Sequence, residues 1–193
     1  MLKMQPNVSA WMVATAIALA VQTLLAVDVK VEHDKAFNFK EVRTWGWKPD
    51  GPGKVIMART ADDDPEAMQK RVEPIVMSEI DAQMTQRGLK AATGAPDVFV
   101  TYFLLLSTVG SAQTIGQFIP GSAVWGLPPF LASTQSLEMM NQGSLVIDLS
   151  AKNEVVWRGL AQADIKIGID AKKRESLLRE GVRDLLKRYP PKS

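Results

Sequence analysis

The chain has no cysteine, and its 193 residues include a single histidine, His33. Disulfides, thiol nucleophiles, thiolate zinc sites and clusters of histidine ligands are therefore excluded. A serine hydrolase needs a base beside its nucleophile, and His33 is the only imidazole. It follows an alternating segment and reads as a surface residue. No G-x-S-x-G turn, no P-loop and no G-x-G-x-x-G is present. An excess of charge of one sign is also lacking. The 23 Lys and Arg nearly balance 21 Asp and Glu, which leaves little of the positive field that nucleic-acid binding uses. Hydrophobic residues at 46%, with 13 Gly and 11 Pro, exclude wholesale disorder and collagen-like architecture.

Residues 1–26 read as an export segment. Lys3 is followed by a stretch with no charge until Asp28, apolar from Ala10 to Val21 except for Thr15. A basic start, an apolar run and a small residue at the cut define a secretory signal. Ala26 suits the position before cleavage, and Ala18-Leu19-Ala20 offers an earlier one. An uncleaved anchor is the rival reading, because the run from Val8 to Val27 is long enough to cross a bilayer. Gln22 and Thr23 interrupt it. Either way, residues 27–193 are expected outside the cytoplasm, in the periplasm or at an envelope membrane. Their size suits one domain.

Val27, Val29 and Val31 alternate with Asp28, Lys30 and Glu32, a half-exposed strand. Val42 to Trp47 is a second short strand, closed by the turn-forming run Pro49-Asp50-Gly51-Pro52-Gly53. The acids Asp62, Asp63 and Asp64 stand before Pro65. They lack the spacing of a calcium loop and suit a helix N-terminus. Met68, Val72, Val76, Ile80 and Met84 then recur every four residues toward Arg87, with Gly88 as the stop. Pro74 inside this stripe predicts a kink or a break into two helices. Met68, Met77, Met84, Met139 and Met140 read as core filler rather than a metal site.

Asp97 to Leu106 is apolar on both faces, which predicts a central strand. Residues 107–132 lose all periodicity and carry no charge, yet contain Phe118, Trp125 and Phe130. Long aperiodic loops tend to be functional or disordered. These three aromatics are the candidate contacts for a partner, a lipid surface or an apolar ligand; packing back onto the sheet is the alternative. Residues 133–141 suit a further strand.

Gly143 to Lys166 reads as a hairpin. A two-residue turn at Lys152-Asn153 pairs Leu149 with Val156. A three-residue loop, 151–153, pairs Leu149 with Val155 and Ile147 with Trp157, and the hydrophobic match favours it. Asp148 and Arg158 then become diagonal neighbours, an exposed ion pair worth ~0–1 kcal/mol. Asp148 is the only acid in a strongly apolar strand, so it is the one candidate for carboxylate chemistry. From Asp170, a final helix carries Leu178, Val182, Leu185, Leu186 and Tyr189 on one stripe, with Leu177 at its edge.

Several segments resemble a bacterial envelope family known only as domain of unknown function number 4136. They are Gly143-Ser144-Leu145-Val146-Ile147-Asp148-Leu149, Val155-Val156-Trp157-Arg158-Gly159, Thr44-Trp45-Gly46-Trp47, Ala95-Pro96-Asp97-Val98 and Tyr189-Pro190-Pro191. The resemblance makes Trp47, Asp148, Trp157 and Arg158 structural signature residues and implies no catalytic residue. Many relatives resemble lipoproteins with a Cys after the signal. Here Val27 follows Ala26, which excludes lipid attachment at that point. The expectation is an exported α+β domain, an antiparallel sheet of five or six strands with two long helices on one face. No cofactor and no metal are expected. Its expected role is a non-enzymatic binding or structural one, with a carboxylate-dependent enzyme as the alternative.

Overall fold

A computed structural model of the chain describes residues 27–58, 64–107, 143–163 and 170–191. The export segment, the stretch 108–142 with Phe118, Trp125 and Phe130, and the expected strand at 133–141 lie outside these residues. Along the chain run β1 (Asp28–His33), a 3-10 turn (Phe39–Glu41), β2 (Thr44–Trp47), β3 (Gly53–Ala58) and α1 (Pro65–Gln86). They are followed by β4 (Lys90–Ala91), β5 (Val98–Ser107), β6 (Gly143–Ala151), β7 (Glu154–Ala163) and α2 (Ala171–Leu186).

Among the described residues the sheet has seven strands in the order β1-β7-β6-β5-β2-β4, with β3 also on β5. It is mixed, which corrects the expectation of a purely antiparallel sheet of five or six strands. The β1–β7, β7–β6 and β6–β5 pairs are antiparallel, whereas β2 and β3 run parallel to β5 and β4 runs parallel to β2. The cause is α1. A parallel return needs a long crossover, and a 22-residue helix between β3 and β5 supplies it. β2 pairs with Val98–Val100 and β3 with Tyr102–Ser107, so the two share one edge of β5 in succession. The step between them is the Lys48–Pro52 turn, where Gly51 takes φ +122°. Gly53, expected in that turn, opens β3 instead.

Asp64 caps α1, accepting from the N–H groups of Glu66 and Ala67 at 3.0 and 3.1 Å. The helix runs unbroken through Pro74, which overturns the two-helix alternative. Pro74 sits on the exposed side, and so does Lys70, whose carbonyl loses its donor and can turn to water. The buried stripe of Val72, Val76, Ile80 and Met84 therefore continues past it. At the far end, Gly88 at φ +79° donates to Thr85 O and Leu89 to Met84 O, a Schellman cap.

One core lies between the helices and one face of the sheet. Val72, Val76, Ile80 and Met84 of α1 and Val182, Leu185 and Leu186 of α2 meet Val100, Tyr102 and Leu104 of β5, Leu145, Ile147 and Leu149 of β6, and Trp157 and Ala161 of β7. Two glycines let α2 come close, and they differ in how much room remains. A Cβ on Gly159 meets Trp157 Cη2 at 2.6 Å and Leu185 Cδ2 at 2.7 Å. On Gly181 it meets Ala161 and Leu145 at 3.6 and 3.7 Å, ordinary contact.

Opposite outcomes are expected from one extra methyl at these two glycines. Gly159→Ala should destabilise the fold by ~1–3 kcal/mol through overpacking. Gly181→Ala should stabilise it by ~0.5–1 kcal/mol through helix propensity. Denaturant melts of the two variants beside the parent check both signs.

Candidate functional site

The β6–β7 hairpin adopts neither register expected from sequence. Its turn is the two-residue Lys152-Asn153 pair, at φ 50° and 67°, as a primed turn requires. Ser150 then pairs with Val155 but Leu149 with Trp157, so the ladder carries an irregularity between Leu149 and Ser150 that takes up Val156. This one-residue shift places Asp148 directly opposite Arg158. It also keeps Leu149 and Trp157 together on the helix-facing side.

The expectation of an exposed diagonal pair is overturned. Asp148 and Arg158 are each 2% exposed, and the contact is bidentate. Arg158 Nε donates to Oδ1 at 2.7 Å and Nη2 to Oδ2 at 2.6 Å. The pair sits on the sheet face away from the helices, among buried Ser144, Val146, Leu160 and Gln162. Register extends the row: Glu32 on β1 lies across from Arg158, and Thr101 on β5 across from Asp148. Burial pushes the Asp148 carboxyl above its ordinary value, while the hydrogen bonds and charge of Arg158, and more distantly Lys48, pull it down. Both carboxylate oxygens are engaged by a permanently charged partner. That geometry fixes strand register rather than poising a proton for transfer.

The other two signature residues, Trp157 and Trp47, lie in the core and against it. Trp157 is fully buried, its ring 5.8 Å from that of Tyr189 at 83°. Trp47 is half-buried, edge-on to Trp45 at 5.4 Å, and its side chain hydrogen-bonds Asp81. His33 is not simply exposed; it is half-buried and meets Phe39 edge-on at 6.0 Å. Among the described residues, no group of three or more His, Asp or Glu is arranged to hold a metal ion.

Two clusters escaped the sequence reading. Asp97, just before β5, accepts through Oδ2 from the N–H groups of Arg43 and Thr44 at 2.9 and 2.8 Å, and from the Thr44 hydroxyl at 2.8 Å. The Thr44 hydroxyl also accepts from the Asp97 N–H at 3.0 Å. These bonds tie the start of β2 to the start of β5 and hold the Asp97 carboxyl below its ordinary value. The signal was present in Pro96-Asp97, but its partners are more than fifty residues away. The second cluster centres on Gln69, which accepts from Val55 N and donates to Glu73 and to the Tyr102 hydroxyl. It staples α1 to β3 and β5. Burial and the nearby Glu73 push the Tyr102 phenol well up.

The arrangement defines a class: an α+β domain with a mixed sheet, two helices over one face and a charged clasp set into the other. The chain belongs to the family described as domain of unknown function DUF4136, which matches residues 29–191. A crystal structure of a DUF4136 family protein from Bacteroides thetaiotaomicron is similar to it, with 15% identity, a TM-score of 0.50, and coverage of 85% of this chain and 96% of that one. A crystal structure of a PDZ domain protein from Parabacteroides distasonis matches at 11% identity and a TM-score of 0.49, covering 86% of this chain and 37% of that one. A PelC dodecamer structure from Paraburkholderia phytofirmans matches at 10% identity and a TM-score of 0.35, covering 83% and 98%. No curated protein matches.

Two outcomes test these clusters. Asp148→Ala strands the Arg158 guanidinium in the interior and should cost ~3–5 kcal/mol, whereas replacing both residues with apolar ones should cost less than Asp148→Ala alone. A double-mutant cycle by chemical denaturation checks the order. Asp97 has a depressed folded value, so its contribution is present above its ordinary value of 3.8 and lost as pH falls through the lower folded one. Melting temperatures read from pH 7 down to pH 2 should therefore fall more steeply for the parent than for Asp97→Asn.

Proposed function

We propose that this chain is an exported cell-envelope protein with a binding or structural role, which meets a partner or an apolar ligand through residues 107–132. One observation carries the reading. Leu106 and Gly143 are ladder partners on adjacent antiparallel strands, and such strands are commonly joined by two to five residues. The connection here instead runs from 108 to 142, and its first twenty-five residues are uncharged while including Phe118, Trp125 and Phe130. Nothing in sheet closure calls for that length. A segment kept apolar without a closure role fits a recognition element for protein or lipid. The uncharged run from Met4 to Val27 supports export, whether as a cleaved leader giving a periplasmic protein or as an anchor at an envelope membrane. No helix among the described residues is long and apolar enough to cross a membrane.

A carboxylate-dependent enzyme is the second reading. It is favoured by the upward shift of Asp148 and by Glu32, two strands away at about 10 Å by strand spacing. Arg158 stands between them, which places a fixed cation where a reacting group would have to sit.

Crosslinking and pull-down from membranes, with and without residues 110–130, should show partners that disappear on deletion while the melting transition is retained. Partners unchanged by the deletion would sink the reading. The mass of the mature N-terminus should show a chain starting at Val27 if the leader is cleaved at Ala26, and at Met1 if it is an anchor.

A further inference from the structure

β1 ends the sheet, and among the described residues no strand pairs with its outer side. Its backbone orientation follows from one bond. Asp34 donates its N–H to Val156 O at 2.8 Å, one step beyond the last register pair, His33 with Trp157. Antiparallel ladders alternate, so Glu32, Lys30 and Asp28 turn their backbone groups toward β7. Val31, Val29 and Val27 turn theirs outward. Among the described residues no strand pairs with the outward backbone groups of these three, which present donors and acceptors in a row.

Such edges are usually blunted by charge, lysine above all. Here the charge is patterned. Asp28 and Lys30 are the two exposed residues of the strand, with side chains 63% and 44% exposed, and they lie 4.0 Å apart on one face. We infer that β1 pairs antiparallel with β1 of a second copy, on a two-fold axis through Val29. In that register Asp28 faces the other copy's Lys30 twice, and Val27 faces Val31 twice. About six backbone hydrogen bonds form, two for each outward-facing pair. Sliding the axis to Lys30 sets Lys30 against its own copy and Asp28 against Glu32. An axis through Val31 sets Lys30 against Glu32 twice but also Asp28 against Asp34 twice, so its attractions and repulsions offset, whereas the Val29 register carries no like-charge pair. Like charges directly opposed are unfavourable, so the charge order selects the register on Val29. The two-fold axis stands perpendicular to the sheet, so both helical layers stay on the same side and the sheet runs on across the junction.

The absence of cysteine gives a clean test in the full chain. Opposed residues of a hydrogen-bonded pair sit ~5.5 Å apart at Cα, within disulfide reach. Under mild oxidation Val29→Cys should give a disulfide-linked dimer, while Val31→Cys, which faces Val27 of the other copy, should give no disulfide-linked species. Adding Lys30→Asp to Val29→Cys should weaken dimer formation about tenfold, since two opposed pairs turn repulsive. Exchanging both charges, Asp28→Lys with Lys30→Asp, should restore it. No crosslink at 29, crosslinking at 31 equal to that at 29, or indifference to Lys30→Asp would each overturn the inference. The exposed position of both charged side chains keeps these variants folded, which their melting transitions verify.

Discussion

β5 is the constraint from which the architecture follows. Val98, Val100, Tyr102 and Leu104 face the helices, while Phe103 and Leu105 face the other way, and all six are buried. A strand apolar on both faces has to be sheathed on both and paired at both edges. β6 takes one edge antiparallel and β2 with β3 take the other in parallel. The parallel edge in turn demands a crossover, and α1 is that crossover, capped at each end and apolar along one stripe. The Asp97 clasp and the Gln69 staple hold the two ends of this unit, one at the entry to β5 and one where α1 passes β3.

The buried ion pair belongs to the same logic. Side chains alternate in a strand, so a register error of one residue turns a whole face over. With Val146 and Leu160 buried on the side opposite Leu149 and Trp157, apolarity alone distinguishes the faces poorly. A carboxylate and a guanidinium that must find each other distinguish them well. The bulge at Val156 is what permits both demands, keeping Leu149 against Trp157 and Asp148 against Arg158. Fixing one arrangement among competing ones is the best-attested use of such groups.

Much of this was legible in the residues. Alternation located β1, the four-residue stripe located α1, and two-sided apolarity marked β5 as central. What was not legible depended on partners distant in sequence. β3, Gly53–Ala58, directly follows a run that reads as a turn, so its first residue was taken into the punctuation before it. The parallel sense of β2 and β3 is invisible locally, since a strand does not encode the direction of its neighbour. The hairpin register failed for a different reason. Turn length was read from hydrophobic matching alone, and a bulge adds one residue that matching does not anticipate. The burial of Asp148 is not legible from its own strand, because a charged side chain on an alternating strand reads as solvent-facing even when the neighbours on its face, Val146 and Leu160, are apolar and buried.

Function in this family of folds has to be sought where physical necessity ends. The core face, the crossover and the clasp are each accounted for by packing, connectivity or register. The connection between Leu106 and Gly143 is not, because the strands it joins are already in contact. We propose that this long uncharged stretch serves recognition, since joining β5 to β6 does not call for its length. The same reasoning applies to β1. A blunted edge requires only charge, whereas the order of Asp28 and Lys30 around Val29 would also let a second copy pair in one register, as inferred above.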